Sequence, residues 1–135
     1  MRLRPEAVQG LHDHLKLDEY QKLAGRTINP EQSHRDNLGN FALGLTGEAG
    51  ETGDYIKKHL YHGHDLDPEV VKSELGDVLW YVAALATAVG LDLSDVAQGN
   101  VDKLKKRYPE GFSQAASKAR VDVDVEEGQP PVRVA

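Results

Sequence analysis

Two pairs of carboxylates are the residues in this sequence best suited to chemistry. Glu48 and Glu51 lie three residues apart, as do Glu74 and Asp77, and each pair encloses a glycine. Residues at i and i+3 share nearly the same face of an α-helix, so each pair directs two carboxylates one way. A turn at 63–67 would fold the two segments into an antiparallel hairpin, and a rise of about 1.5 Å per residue puts Asp77 near the level of Glu51. The spacing therefore predicts that four carboxylates converge between two helices.

Converging carboxylates predict a site for a divalent cation. They repel one another, and burying them without compensation is costly. All-oxygen ligands select hard ions such as Mg²⁺ or Mn²⁺ over zinc or copper, and Mg²⁺ often completes its shell with substrate phosphates. Asp54 could add a further oxygen. The alternative is a solvated surface on which Lys57, Lys58 and Lys72 neutralise the acids as ordinary ion pairs.

A basic segment supplies the complement to these acids. Lys103, Lys106 and Arg107 have i+3 and i+4 spacing, so they can form one phosphate-facing patch. The alternative is a solvated helix end that interacts favourably with its own dipole. Together, an acidic metal site and a basic patch in one small domain indicate handling of a metal-bound triphosphate.

Helices must position these groups, because strand signals are almost missing and apolar residues follow helical spacing. We therefore expect an all-α fold. Asp67 and Pro68 predict the start of one helix, as an N-cap and a first-turn proline, and Ser94 is the expected cap of the next. The predicted elements are one or two short helices over 6–26, helices over 37–62, 68–89 and 95–108, and a mobile tail.

Glycine is unusually frequent in the predicted helix over 37–62. Each helical glycine costs about 1 kcal/mol relative to alanine, so we expect close helix approach or access for a ligand. The five positions are Gly39, Gly44, Gly47, Gly50 and Gly53.

Composition limits the class of protein. The chain has 135 residues, a formal net charge of −6 and no cysteine. Disulfide scaffolds, Cys-ligated zinc and thiol catalysis are therefore excluded, and the acidic balance argues against nucleic-acid binding. With no apolar run of membrane-spanning length and no secretory signal, we expect a cytoplasmic protein with no membrane partner. Its predicted domain covers 1–112, and the tail covers 113–135.

Taken in order, these motifs resemble the MazG-like all-α nucleoside triphosphate pyrophosphohydrolases, whose pattern is EExxE followed by ExxD. Within that family, the chain resembles the small, single-domain dCTP-pyrophosphatase type. Gly47 stands at the first acidic position, and 22 residues separate Glu51 from Glu74. The likeness continues through Tyr81 and the segment Lys-Lys-Arg-Tyr-Pro-Glu-Gly-Phe at 105–112, and it covers roughly 18–112. It implies a four-helix-bundle-like fold.

The resemblance also implies an activity, namely hydrolysis of an NTP or dNTP to the monophosphate and pyrophosphate, for house-cleaning or nucleotide-pool control. By analogy, the Mg²⁺ ligands and catalytic carboxylates are Glu48, Glu51, Glu74 and Asp77. The implied substrate-binding residues are Lys103, Lys106 and Arg107 for phosphate, Tyr81 and Asn100 for sugar or phosphate, and Asn40 beside the base. Tyr81 is equally well explained as a core residue and Asn40 as a surface amide. The preferred base, the sugar, the number of metal ions and the general base stay open.

Other classes of function remain to be weighed. A noncatalytic helical interaction or regulatory module would tolerate neutral carboxylates, and the broad apolar faces suit assembly into a homodimer or homotetramer. A transition-metal site at His59, His62 and His64 is disfavoured, because histidines in a polar turn are usually solvated. A di-iron bundle is disfavoured too, because it needs two Glu-x-x-His motifs and only Glu31 and His34 have that spacing.

Overall fold

The computed structural model describes residues 14–123, and five helices form within them. The helices are α1 (Leu17–Gly25), α2 (His34–His62), α3 (Pro68–Ala88), α4 (Leu93–Arg107) and α5 (Gln114–Ala119). The all-α class predicted from the sequence is confirmed. The chain divides into two compact units, one ending at Val96 and the other beginning at Ala97.

The α2–α3 hairpin is the main feature of the first unit. Gly63 ends α2 with a left-handed φ of 72°, a conformation that glycine adopts without steric cost. Asp67 then caps α3 by accepting a hydrogen bond from the Glu69 amide at 2.9 Å. These local signals place the turn at 63–67, as predicted. Helix α2 begins earlier than predicted, because Ser33 accepts a hydrogen bond from the Asp36 amide and caps it at 3.1 Å.

An aromatic cluster fixes the spacing of α2 and α3. Phe41 is buried and meets Trp80 edge-on, with ring centroids 5.8 Å apart. The Trp80 indole donates a hydrogen bond to the Thr27 hydroxyl at 2.8 Å. One turn along, a Cβ added at Gly44 would lie 2.2 Å from Tyr81 Cε1. The close helix approach expected from the glycines therefore occurs at Gly44, whereas the other four have no atom within 4 Å of an added Cβ.

Side chains of helix α1 accept hydrogen bonds from the backbone amides at the start of α4. Gln21 accepts from the Leu93 amide at 2.7 Å, and Asp18 accepts from the Ser94 amide at 2.9 Å and the Ser94 hydroxyl at 2.7 Å. The prediction that Ser94 is the N-cap is therefore wrong, since α4 already includes Leu93 and Ser94. The capping acceptors come from a helix more than 70 residues earlier, so local sequence does not reveal them.

The second unit contains the rest of α4 and the short helix α5, which was not expected. Ser113 caps α5 by accepting from the Ala116 amide at 3.0 Å, so part of the predicted tail is helical. The remainder of that tail, from residue 124, and the first part of the segment predicted helical over 6–26 lie outside the described residues. The division at 112 and 113 stays a prediction. Among residues 14–123 no single helix is long and apolar enough to cross a bilayer, and α3 and α4 meet that measure only when taken together.

Candidate metal centre

Three carboxylates converge between α2 and α3. Glu48, Glu74 and Asp77 each offer one oxygen, and these oxygens all lie within 4.8 Å of one another. Glu48 and Glu74 are half-buried, whereas Asp77 is exposed. The antiparallel hairpin produces this arrangement, because it sets the i, i+3 pair of α3 against Glu48. Three of the four predicted ligands thus form a group that could hold a cation.

The electrostatics of the group favour a cation. Partial burial raises the pKa of Glu48, and the nearby charge of Glu51 raises it further. The charges of Asp77 and Glu74 add to this effect. Each ionised neighbour makes it harder to ionise the next carboxyl, which is the conflict that a divalent ion relieves.

Glu74 supplies an independent sign that this group suits a ligand. Its Oε2 atom is buried and has no hydrogen-bond partner. A buried carboxylate oxygen left without a partner is costly, and folded proteins pair most such atoms. The orphaned atom belongs to the carboxylate group itself, so the residues present fit a hard divalent cation.

The lysines considered as neutralising partners pair with other acids. Lys57 and Lys58 both contact Asp54, at 2.8 Å and 2.6 Å. These two lysines lower the pKa of Asp54 to about 2. Lys72 contacts Glu69 at 3.6 Å. The surface-pair interpretation thus describes Asp54 and Glu69, and within residues 14–123 none of these three lysines forms an ion pair with the converging carboxylates.

Glu51 lies at the margin of the centre. It is exposed and does not belong to the group of oxygens within 4.8 Å. Its charge nevertheless raises the pKa of Glu48, so the two carboxylates are close enough to interact. Glu51 therefore lies beside Glu48, outside the group of three.

The other predicted contact residues of the first unit differ in their surroundings. Tyr81 is half-buried, with its ring against Gly44 and 5.0 Å from the Trp80 ring, edge-on. It follows Asp77 by one helical turn, so a core role and a place beside the carboxylates are both consistent with its position. Asn40 is an exposed residue of α2.

Two further residues of the first unit were not singled out from the sequence. Tyr20 of α1 packs against the core, and burial and the charge of Asp77 raise the pKa of its hydroxyl. Asn37 has a buried side-chain oxygen without a partner. It precedes Glu48 by eleven residues, which is close to three full turns, so both lie on one face of α2 but about 16 Å apart along the helix axis. That spacing is the signal that could have identified Asn37, whereas nothing local identifies Tyr20.

The predicted phosphate-binding residues belong to the second unit. Asn100, Lys103 and Lys106 are exposed on α4. Arg107 makes a two-pronged ion pair, in which Nε and Nη2 each donate to one carboxylate oxygen of Asp122 at 2.5 Å. Asp122 had no role in the sequence analysis, because nothing in its local pattern indicates a partner fifteen residues earlier.

The histidine alternative finds no support in residues 14–123. His59 Nδ1 lies 2.7 Å from the backbone oxygen of His64, and the His62 and His64 rings are 6.4 Å apart. Within that range these side chains do not join a group of three ligand atoms.

Comparison with known proteins agrees with the geometry. A model of the MazG nucleotide pyrophosphohydrolase domain matches residues 37–112, which is more than half of the chain. The chain is also similar to the Gene 37 protein of Mycobacterium phage L5, with 36% identity over 117 residues. That match covers 78% of this chain and 100% of the phage protein. No solved structure matches.

Proposed function

Since the chain belongs to the MazG nucleotide pyrophosphohydrolase domain family, we propose that it is a Mg²⁺-dependent hydrolase of nucleoside triphosphates. It converts an NTP or dNTP to the monophosphate and pyrophosphate, and so serves house-cleaning or control of the nucleotide pool. A cytoplasmic location goes with that role and stays a prediction.

The observation that carries the proposal is the convergence of the Glu48, Glu74 and Asp77 carboxylates. Their oxygens lie within 4.8 Å of one another, and one of them, Glu74 Oε2, is buried without a partner. A hairpin that serves only to hold two helices together gains nothing from this arrangement. A protein that binds a metal-bound polyphosphate needs it.

Each carboxylate has a part in the proposed mechanism. Glu48, Glu74 and Asp77 would hold Mg²⁺, and Glu51 would act from the margin as a further ligand or through water. A divalent ion bound there neutralises phosphate charge and makes a nucleophilic water available at neutral pH. The rigid i, i+3 pairs keep the carboxylate oxygens preorganised, so that little reorganisation accompanies the reaction.

The proposed substrate contacts follow from charge and hydrogen-bonding capacity. Lys103, Lys106 and Arg107 would bind the phosphates, since ammonium and guanidinium groups form charge-assisted hydrogen bonds with phosphate oxygens. Asn100 and the Tyr81 hydroxyl would contact sugar or phosphate. Asn40 would border the base, where an amide can both donate and accept.

Pyrophosphate release from a panel of canonical and modified NTPs and dNTPs tests the proposal. We expect turnover with Mg²⁺ and none with excess EDTA. Glu74→Gln should lower the rate by about 100-fold or more, because preorganised charge is lost at the reacting phosphates. Glu69→Gln is the matched control, with the same substitution on an exposed residue of the same helix, and it should stay near the wild-type rate.

The outcome of this panel separates enzyme from interaction module. No pyrophosphate from any nucleotide, given a folded protein, contradicts the enzyme and favours the noncatalytic helical module. Equal loss in Glu74→Gln and Glu69→Gln contradicts the assignment of the carboxylates, because only Glu74 belongs to the converging group.

We further propose that the protein is a homodimer or homotetramer. An apolar groove of about 230 Å³ runs along the first unit and is open to solvent. Its lining is Leu45, Val82, Leu85, Ala86, Val89, Leu91 and Val96. Exposed apolar surface of this kind marks an association site, and a second copy would cover it. Light scattering should give twice or four times the mass of 14.8 kDa, whereas a monomer contradicts the proposal.

A further inference from the structure

The ion pair between Arg107 and Asp122 occupies one of the proposed phosphate-binding groups. The Asp122 side chain is fully buried, and that of Arg107 is 19% exposed. The hydrogen bonds from Arg107 lower the pKa of Asp122 to about 2, so Asp122 is a carboxylate anion at neutral pH. In this conformation the guanidinium fork is filled by an anion from the same chain.

Carboxylate and phosphate present the same acceptor geometry to an arginine. Each offers two oxygens that take parallel N–H bonds from the guanidinium fork. Lys103 lies three residues before Lys106 and four residues before Arg107 on α4, so it neighbours both cations on the helix surface. A triphosphate carries several negative charges, whereas Asp122 carries one. A triphosphate can therefore engage all three cations and compete with Asp122 for Arg107.

Apart from the ion pair with Arg107, few contacts hold the segment that contains Asp122. Helix α5 has six residues and no buried residue. A helix this short is not stable by itself, so its order depends on capping and polar contacts. Besides the ion pair, the Ser117 hydroxyl hydrogen-bonds to Tyr108 and lowers the pKa of the Tyr108 phenol. Loss of the Arg107 pair therefore removes a main restraint on residues 113–123.

We propose that Asp122 is an internal phosphate mimic that holds Arg107 until the phosphates of a nucleotide displace it and release residues 113–123. The inference rests on the proposed function, because that function gives Arg107 its role as a phosphate ligand. It adds an autoinhibitory contact, in which the chain's own carboxylate competes with substrate.

Binding of inorganic pyrophosphate to the full chain, measured by calorimetry, tests the proposal without turnover. Asp122→Asn should bind pyrophosphate about 5–10-fold more tightly than wild type, because the binding-competent fraction is no longer limited by the internal pair. KM for the nucleotide should fall by a similar factor while kcat changes little. Asp122→Glu keeps the carboxylate and should stay close to wild type.

Glu110→Gln controls for charge alone. Glu110 is exposed and three residues from Arg107, so the variant removes one negative charge nearby and leaves the ion pair intact. It should change pyrophosphate affinity by less than about twofold, because exposed charges are screened by salt. If Glu110→Gln and Asp122→Asn tighten binding equally, simple charge removal explains the effect and the mimic is contradicted.

Hydrogen exchange of the α5 amides supplies a second readout. Pyrophosphate should speed exchange in wild type, and Asp122→Asn should exchange rapidly with or without it. Weaker or unchanged pyrophosphate binding in Asp122→Asn overturns the proposal, because Asp122 would then position Arg107 or have no influence on it. If the proposed function fails but the Asp122 proposal holds, no nucleotide would be turned over, yet pyrophosphate would still bind and still release α5.

Discussion

Replacing Gly44 with alanine should separate α2 from α3 at a point one turn from the carboxylates. The added Cβ would lie 2.2 Å from Tyr81 Cε1 and 2.4 Å from Cζ. Carbon atoms pack at about 3.5–4.0 Å, so the ring or the helix must move by more than about 1 Å. Such overpacking costs about 1–3 kcal/mol, against a gain in helix propensity of about 1 kcal/mol. The net loss in the free energy of unfolding should be about 0–2 kcal/mol.

A second glycine of α2 provides a control in which the gain in helix propensity is the same but no overpacking occurs. Gly53 is an exposed residue of the same helix, and a Cβ there meets nothing within 4 Å, so Gly53→Ala should be stabilising. Urea unfolding followed by the fluorescence of Trp80, the single tryptophan, should show Gly44→Ala less stable than Gly53→Ala by about 1–3 kcal/mol, the overpacking cost alone. In a Tyr81→Leu background the difference should shrink. Equal stability of the two alanine variants would refute the close contact and the helix spacing inferred from it.

Three other substitutions test separate parts of the structure. Glu48→Gln should raise the melting temperature in EDTA, because it removes the mutual repulsion that raises the pKa of Glu48, and added Mg²⁺ should then stabilise it less than wild type. Asp18→Asn should lower the melting temperature at pH 7. Hydrogen bonds from Ser94 lower the pKa of Asp18 below its ordinary value of 3.8. The ionised Asp18 therefore stabilises the fold above pH 3.8, and the difference in melting temperature between Asp18→Asn and wild type should close as the pH falls below that value. Thr27→Val should cost about 1 kcal/mol by leaving the Trp80 indole without its acceptor, measured by urea unfolding, and an unchanged midpoint would contradict that bond.

Local signals explain why much of the fold and the carboxylate group could be predicted. Asp67, Pro68 and Gly63 mark the hairpin with residue types that favour caps and left-handed turns. Once the hairpin is set, the i, i+3 spacing of Glu74 and Asp77 places them on one face whatever the tertiary packing. The convergence with Glu48 then follows from the length of the turn alone.

What the sequence analysis missed depends on contacts between distant residues. The acceptors for the start of α4 come from α1, so Ser94 looked like a cap when its hydroxyl is in fact bound to Asp18. The partner of Arg107 is likewise Asp122, in a segment whose pattern indicates no helix. Tyr20 approaches Asp77 through the packing of α1 on α3, and such packing has no local signature.

The glycines of α2 show a limit of a different kind. Glycine frequency indicated close approach but did not say where. Only a partner side chain on α3 identifies Gly44 as the contact, because the requirement arises from the Tyr81 ring. A Cβ added at Gly39 or Gly53 would meet open space, and nothing in the described residues explains glycine at those two positions.

Binding of Mn²⁺, followed by electron paramagnetic resonance on the metal-depleted protein, probes the proposed cation site without needing the right nucleotide or turnover. We expect saturable binding of Mn²⁺ to wild type, displaced by Mg²⁺, retained in Glu69→Gln and lost or strongly weakened in Glu74→Gln. Binding that is equally strong in Glu74→Gln and Glu69→Gln, or absent from a folded wild-type protein, would contradict a divalent cation site formed by Glu48, Glu74 and Asp77.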